Sequence, residues 1–276
     1  MSTIKVQGNV SSISLFYEDW GHGSPVVLIH GWPLNHRMWE HQMLELPRHG
    51  LRCIAYDRRG FGASDKPWEG YDYDNLASDL HGILEGLDLK NVTLVGFSMG
   101  GGEVARYLGT YGSSRVSKAV LISSITPLLM QCEDNPEGVP HAQFEKIVEA
   151  VRNDRAAFLT SFGKLFYGEG ILSRPVSSEM LQWTSSMALC ASPKATIDCV
   201  RSFSQTDFAR DLKNIDVPTL IIHGDDDRIV PLDTTGKIAA KMVKGSQLSV
   251  FSGAPHGLFI TDKERLNSEL LTFIKS

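Results

Sequence analysis

Short runs of β-branched and aliphatic residues recur along the chain, and their hydrophobic pattern predicts β-strands. The middle runs are apolar at nearly every position, which is typical of strands buried on both faces of a parallel sheet. The first run alternates in part, so we expect it to pair antiparallel, at an edge of the sheet, with residues around 4–7. The predicted strands are residues 13–19, 26–30, 52–56, 92–96, 118–123, 219–223 and 248–251.

Between these runs, hydrophobic residues recur at spacings of three and four, which predicts amphipathic helices. In residues 74–87, for example, Leu76, Leu80 and Ile83 share one face. Strands that alternate with helices form parallel βαβ units, so we predict a doubly wound α/β sheet. Further helices are predicted over residues 36–48, 232–243 and 262–274.

Residues 124–211 break this alternation, because they contain aromatic-rich helical patterns and no convincing strand. We therefore predict a core formed by residues 1–123 and 212–276, with residues 124–211 inserted as a helical cap between the sixth and seventh strands. Any single aromatic of the cap is open to the simpler interpretation of core packing, but the set as a whole is expected to roof an apolar pocket. The predicted pocket residues are Pro33, Ile125, Phe144, Phe158, Phe162, Trp183 and Ile229.

Composition and charge narrow the class of protein. The net charge of −5, with no basic run, argues against a nucleic-acid or anionic-membrane surface. The four cysteines form no C-x-x-C pair and have no histidines at zinc-ligand spacing, so no metal site is expected. The chain has neither a secretory signal pattern nor an apolar run near the ~18 residues of a membrane helix, so we expect a soluble, cytoplasmic protein.

The segment VGFSMGGG, at residues 95–102, is the most informative motif. G-x-S-x-G between a buried strand and a helix is the context of a nucleophile elbow, where the serine occupies a sharp, strained turn. Gly96 and Gly100 suit a turn in which backbone segments nearly touch. The helix that follows directs its first N–H groups towards developing negative charge. Ser98 is therefore the predicted nucleophile.

A serine nucleophile needs a base, and the base needs an orienting acid. In this fold both follow the serine along the chain, the acid first and the histidine second. His256 follows the last predicted strand and is the only histidine beyond His223, so we predict it as the base. Three aspartates follow the preceding strand; Asp225 and Asp226 can serve as turn residues, and we choose Asp227, although spacing alone leaves the choice open.

An oxyanion requires two aligned backbone N–H donors. We predict Met99, the residue after the nucleophile, and Trp32, in the loop HGWPLNHRMW. Pro33 biases Trp32 towards an extended backbone and is positioned to hold its carbonyl towards the site. For His30 we favour a role in holding this loop over a role in catalysis. The segment YDRRGFGASDKP, at residues 56–67, is interpreted as a structural turn.

Together these motifs resemble the α/β-hydrolase fold, and more narrowly the cofactor-free bacterial haloperoxidase and aryl esterase group. The resemblance spans nearly the whole chain. It rests on VVLIHGWPL, YDRRGFGASDKP, GYDYDNLASDL, LVGFSMGGGEVARYLGTYG, DNPEGVP, IIHGDDDRIVP and GAPHG. It implies a mostly parallel eight-stranded sheet flanked by helices, and it assigns the acid to Asp227.

The same resemblance implies hydrolysis of small aromatic or short-acyl esters through an acyl-enzyme, without a cofactor. Perhydrolysis, in which hydrogen peroxide accepts the acyl group, is implied as a side activity. It also makes a homo-oligomer an expectation, because multimers are common in this group. Members strong in perhydrolysis tend to carry a proline after the oxyanion tryptophan, as Pro33 does.

Other functions share part of this pattern of residues. Serine at position 98 disfavours haloalkane dehalogenases and epoxide hydrolases, which use an aspartate there. Lactonases, γ-lactamases, hydroxynitrile lyases and carbon–carbon hydrolases share the triad and stay open as alternatives. A ligand-binding relative without catalysis is a remote alternative, since it would have no need for all three triad members and both donors.

Overall fold

The computed structural model describes residues 2–7, 12–170 and 173–276. Within them, eight strands form one sheet in the order β1-β2-β4-β3-β5-β6-β7-β8. The strands are β1 (Ser2–Gln7), β2 (Ser12–Gly21), β3 (Ser24–Ile29), β4 (Leu51–Tyr56), β5 (Val92–Phe97), β6 (Val116–Ile122), β7 (Thr219–Gly224) and β8 (Gln247–Phe251). Strand β2 pairs antiparallel with β1 and β4, and the remaining pairs are parallel. The predicted antiparallel edge is confirmed.

Two hydrophobic clusters cover the two faces of the sheet, which explains the unbroken apolar runs of the middle strands. In β5, Leu94 belongs to one cluster, whereas Val95 and Phe97 belong to the other. In β3, likewise, Val27 belongs to the first cluster and Leu28 to the second. Successive side chains of a strand point to opposite faces, so a strand covered on both faces has no polar position.

The helices are α1 (Glu40–Glu45), α2 (Tyr73–Gly86), α3 (Met99–Tyr111), α4 (His141–Phe166), α5 (Ser178–Leu189), α6 (Pro193–Gln205), α7 (Ala209–Lys213), α8 (Gly236–Met242), α9 (Leu258–Thr261) and α10 (Lys263–Lys275). None of those in the described residues is long and apolar enough to cross a membrane. The helix predicted over 36–48 is instead α1 between two 3-10 turns, the second of which has Pro47 in its first turn and ends at Gly50 in the left-handed region. Similarly, α8 is shorter than the predicted 232–243, because a 3-10 turn precedes it.

The segment between β6 and β7 is helical, and its described residues add no strand to the sheet. Helix α4 is interrupted at Asp154, whose backbone is non-helical and whose carboxylate accepts the Ala157 N–H at 2.9 Å. Helix α7 spans the predicted boundary between residues 211 and 212, and Asp211 pairs there with Arg106 of α3 at 3.0 Å. The division into core and cap stays a prediction.

Candidate active site

Ser98 lies on the turn between β5 and α3, with φ 53° and ψ −115°. A non-glycine residue at positive φ is strained and is often associated with function. The turn is also crowded: a Cβ at Gly96 would lie 2.3 Å from the Gly100 carbonyl oxygen, and one at Gly100 would lie 2.5 Å from the Ile29 carbonyl oxygen. The two glycines of the motif therefore allow a turn that places the serine hydroxyl beyond the carboxyl end of the strand.

Three side chains form a hydrogen-bonded chain at the carboxyl ends of the strands. His256 Nε2 lies 3.0 Å from Ser98 Oγ, and His256 Nδ1 lies 2.6 Å from Asp227 Oδ2. The other carboxylate oxygen, Oδ1, accepts the N–H groups of Ile229 and Val230 at 3.0 and 2.8 Å. All three side chains are buried. The acid is thus fixed by its own loop and holds the imidazole towards the serine.

The neighbouring aspartates have other partners. Asp225 Oδ1 accepts the Gly253 N–H at 2.5 Å, and Asp226 pairs with the exposed Arg228 at 3.0 Å. Of the three aspartates, Asp227 is the one in contact with His256. The contacts in the structure therefore distinguish the candidate acid, Asp227, from its two neighbours, which the spacing in the sequence alone could not do.

The charge of Asp227 determines the tautomer of His256. Burial by itself raises the pKa of Asp227, but the electrostatic attraction and hydrogen bonds that it receives from His256 and His223 outweigh burial and hold that pKa well below its ordinary value. An ionised carboxylate only accepts hydrogen bonds, so Nδ1 of His256 carries a proton and donates it. Nε2 is then free to accept the proton of Ser98. This is the protonation state that a general base requires.

The two predicted oxyanion donors lie beside the serine. Trp32 and Met99 line the same cavity as Ser98 and His256. A Cβ at Gly31 would lie 3.2 Å from Ser98 Cβ, so the loop that carries Trp32 runs against the nucleophile. Within the described part of the chain, neither the Trp32 N–H nor the Met99 N–H donates to a protein acceptor. Both N–H groups are therefore without an acceptor among the described residues.

Side-chain hydrogen bonds anchor both donor residues. The Trp32 indole Nε1 donates to the Thr196 carbonyl of α6 at 3.0 Å, and its ring packs on Phe162 and Phe203 with centroids 5.3 and 5.6 Å apart. The Tyr73 hydroxyl donates to the Met99 carbonyl at 3.1 Å. Trp32 thus joins the loop after β3 to helices α4 and α6.

A cavity of about 750 Å³ lies above these groups, and its lining is mostly apolar. Five of the predicted pocket residues line it: Ile125, Phe144, Phe158, Phe162 and Ile229. Pro33 and Trp183 are absent from the lining. Pro33 is buried inside the turn closed by the Leu34 N–H and the Gly31 carbonyl, and Trp183 packs half-buried in the hydrophobic cluster that contains Phe97. Several residues that line the cavity were not predicted from the sequence as pocket residues, among them Leu129, Val139, Ile147, Phe203 and Val230.

His30 is held as a neutral ring beneath the oxyanion loop. Its Nδ1 donates to the Gly31 carbonyl at 2.9 Å, and its Nε2 accepts the Arg58 N–H at 3.0 Å. Complete burial, together with the charge of Arg58, lowers the pKa of His30 to about 3. These contacts agree with a role in holding the loop.

The buried neutral state of His30 predicts a pH dependence of stability. Between its ordinary pKa of 6.5 and its folded pKa of about 3, the unfolded chain binds a proton that the folded chain does not. Stability is therefore lost as the pH falls through this window, by up to about 1.4 kcal/mol per pH unit from this one group. We expect His30→Gln, whose amide oxygen can accept the Arg58 N–H, to show a shallower loss in urea unfolding between pH 6 and 4. Equal slopes in the two proteins would contradict this assignment.

Comparison with known proteins identifies the class. Residues 24–263 match the family model described as alpha/beta hydrolase fold. The chain belongs to this family, and the resemblance noted from its motifs is confirmed.

Individual similar proteins indicate to which branch of this family the chain belongs. A bromoperoxidase from Bacillus anthracis is 48% identical and superimposes with a TM-score of 0.95, each chain covering 100% of the other. The non-heme chloroperoxidase CPO-A1 of Kitasatospora aureofaciens is 42% identical over 95% of this chain and 96% of its own length. The bifunctional esterase/perhydrolase DCH of Acinetobacter calcoaceticus is 40% identical over 96% of this chain and 97% of its own length. The chain is thus a member of the non-heme haloperoxidase and esterase branch of the family.

Proposed function

We propose that the protein is a serine carboxylic-ester hydrolase with perhydrolase activity, acting on small aromatic or short-acyl esters through an acyl-enzyme. The observation that carries the proposal is the continuous contact from Asp227 through His256 to Ser98, at the floor of an apolar cavity. The printed names of its relatives, which include a bifunctional esterase/perhydrolase and non-heme chloroperoxidases, support the same activities.

In acylation, Ser98 Oγ attacks the ester carbonyl carbon while His256 Nε2 takes the hydroxyl proton. The carbonyl oxygen becomes an oxyanion, which the N–H groups of Trp32 and Met99 stabilise. Asp227 stabilises the imidazolium that forms and keeps the ring oriented. His256 then gives its proton to the leaving alkoxide, the C–O bond breaks, and an ester of Ser98 is left.

Deacylation uses the same base with a second nucleophile. Water that has given a proton to His256 attacks the acyl carbon and yields a carboxylic acid and free Ser98. Hydrogen peroxide attacking in the same way yields a peracid and free Ser98. The peracid then oxidises a halide to hypohalous acid as its own peroxy bond is reduced, and the carboxylic acid is regenerated.

The size and the lining of the cavity favour an ester with a small hydrophobic acyl or alcohol group. Its volume of about 750 Å³ falls within the range of small-molecule sites, which are mostly apolar with a few placed polar groups. Here the apolar part comes from residues such as Phe144, Phe158 and Ile229. The polar lining includes Gln143 and Arg228 in addition to the reacting groups of Ser98 and His256. An aromatic or short aliphatic ester would place its reacting carbonyl beside them.

A panel of esters, lactones and lactams, with and without peroxide, tests the proposal. We expect turnover of phenyl acetate and p-nitrophenyl acetate, peracid formation from acetate and peroxide, and loss of all three activities in Ser98→Ala. A wild-type protein inert towards both esters would overturn the proposal. Turnover of lactones or lactams with inert esters would move the function to another class of Ser-His-Asp hydrolase.

Pro33→Leu is expected to lower peracid formation relative to ester hydrolysis. Proline restricts the preceding residue, so Pro33 limits the directions available to the Trp32 carbonyl. We infer that this carbonyl accepts a hydrogen bond from the incoming peroxide. Loss of one such bond, worth about 1 kcal/mol, corresponds to about a fivefold fall in the ratio of the two rates. An unchanged ratio, measured with acetate plus peroxide against phenyl acetate, would count against this role.

A further inference from the structure

The two proposed oxyanion donors belong to different elements of the fold. Trp32 lies in the loop after β3, and Met99 is the first residue of α3. A single oxyanion accepts from both only if each N–H lies within about 2.7–3.1 Å of it. Something must therefore fix the distance between the loop and the helix.

A buried charged network spans these two elements. Arg58 Nε donates to Glu103 Oε2 at 2.7 Å, and Arg58 Nη2 donates to the His30 carbonyl at 2.7 Å. The backbone N–H of Arg58 donates to the His30 ring, and the Tyr56 hydroxyl donates to Glu103 Oε1. Every one of these four side chains is fully buried.

The network meets each element close to its donor. Glu103 lies four residues after Met99, one turn along α3. His30 lies two residues before Trp32 in the loop. The guanidinium of Arg58 therefore bridges the nucleophile helix and the oxyanion loop, each within a few residues of the N–H groups that must converge.

Stability alone does not explain such a network. Removing two charges from water is costly, and replacing a buried ion pair by apolar residues of similar volume is often neutral or stabilising. An apolar pair would also be less directional, because hydrogen bonds to a planar guanidinium fix orientation as well as distance. The ion pair is better explained by what it positions.

We propose that Arg58 and Glu103 are positioning residues that set the separation of the Trp32 and Met99 N–H donors, and hence the stabilisation of the oxyanion. The proposal rests on the proposed function, since it concerns the same site. It assigns neither residue a contact with substrate.

The chain offers a matched control in the adjacent pair Arg59–Asp79. Arg59 donates to both carboxylate oxygens of Asp79 at 2.6 Å, and both side chains are buried. This pair joins the same loop after β4 to α2 at Asp79, six residues after Tyr73, the residue of α2 that contacts Met99. It therefore matches the first pair in charge and burial but not in what it connects.

The experiment compares two double variants, Arg58→Met with Glu103→Leu and Arg59→Met with Asp79→Leu. We expect the first to lower kcat for p-nitrophenyl acetate by about 10²-fold with KM nearly unchanged, as a small displacement of an oxyanion donor would. Its affinity for a boronic acid, which forms a tetrahedral adduct with the serine, should fall in parallel. The Arg59→Met/Asp79→Leu variant should keep kcat within about twofold of the wild type. Its melting temperature should change by about as much as that of the Arg58→Met/Glu103→Leu variant. Equal effects of the two double variants on kcat would overturn the proposal.

If a double variant fails to fold, two single variants test the proposed positioning role of Arg58 and Glu103. Glu103→Asp draws the carboxylate back by one methylene and keeps both charges, and Asp79→Glu changes the control pair by the same amount. We expect kcat to fall in Glu103→Asp well beyond any change in Asp79→Glu, and equal kcat values would overturn the proposal. A wild-type protein without esterase activity would instead overturn the proposed function, so the two failures are distinguishable.

Discussion

His256→Ala is expected to lower kcat for ester hydrolysis on the order of 10⁶-fold. His256 Nε2 is the group placed to take the Ser98 proton, at 3.0 Å from Oγ. Without it the hydroxyl keeps its proton and is a poor nucleophile. Initial rates with p-nitrophenyl acetate, together with far-ultraviolet circular dichroism to confirm folding, measure the effect.

His49→Ala is the control for this prediction. His49 is exposed at the end of a 3-10 turn, its Nε2 pairs with Glu45 at 2.9 Å, and it does not line the cavity. Its removal should leave kcat within about twofold, because an exposed ion pair contributes little. A loss of less than about tenfold in His256→Ala would show that another group acts as the base.

Asp227→Asn is expected to lower kcat by about 10⁴-fold. The asparagine amide can donate to Nδ1 of His256, which favours the tautomer with its proton on Nε2. That proton would face Ser98, and the ring could no longer accept from it. Asp226→Asn is the matched control, since this neighbouring carboxylate pairs with an exposed arginine and should not affect kcat. Similar rates in the two variants would contradict the assignment of Asp227.

The same variant carries a pH signature. Because His256 and His223 hold the pKa of Asp227 below its ordinary value of 3.8, this carboxylate stabilises the fold above that value. The contribution is lost as the pH falls through the lowered pKa. Acid unfolding of Asp227→Asn should lack this component, whereas that of Asp226→Asn should keep it.

Most of the sheet could be predicted from hydrophobic pattern alone. The run predicted at residues 92–96 forms β5 (Val92–Phe97), because a strand buried on both faces shows a continuous apolar signal. The helix predicted over 36–48 was less regular than expected. Its apolar spacing is helical, but Pro47 and the left-handed Gly50 end regular structure locally.

The candidate triad could be predicted because chain order limits the choices. His256 was the only histidine after His223, and the strand ends of a parallel sheet bring Ser98, Asp227 and His256 to one edge. The structure adds the hydrogen bonds that distinguish Asp227 from Asp225 and Asp226.

The cavity lining and the buried network were harder to predict, because both depend on tertiary packing. Trp183 shares a helical stripe with buried residues, yet the packing of α5 places it against the cluster that contains Phe97 and not in the one that contains Ile125. Residues 56–67 are interpreted from the sequence as a structural turn, and within this segment Arg58 donates to the His30 carbonyl. Its partner Glu103 lies 45 residues further along the chain, and nothing in the helical sequence around Glu103 indicated a buried charge.

The central claim is that Ser98 is a nucleophile activated by His256, and covalent labelling with an organophosphonate tests it most directly. Mass spectrometry should find one phosphonyl group per wild-type chain, on the peptide that contains residues 95–102. Ser98→Ala should stay unlabelled, and His256→Ala should react far more slowly. An inert wild-type protein, or equal labelling of Ser98→Ala, would contradict the account.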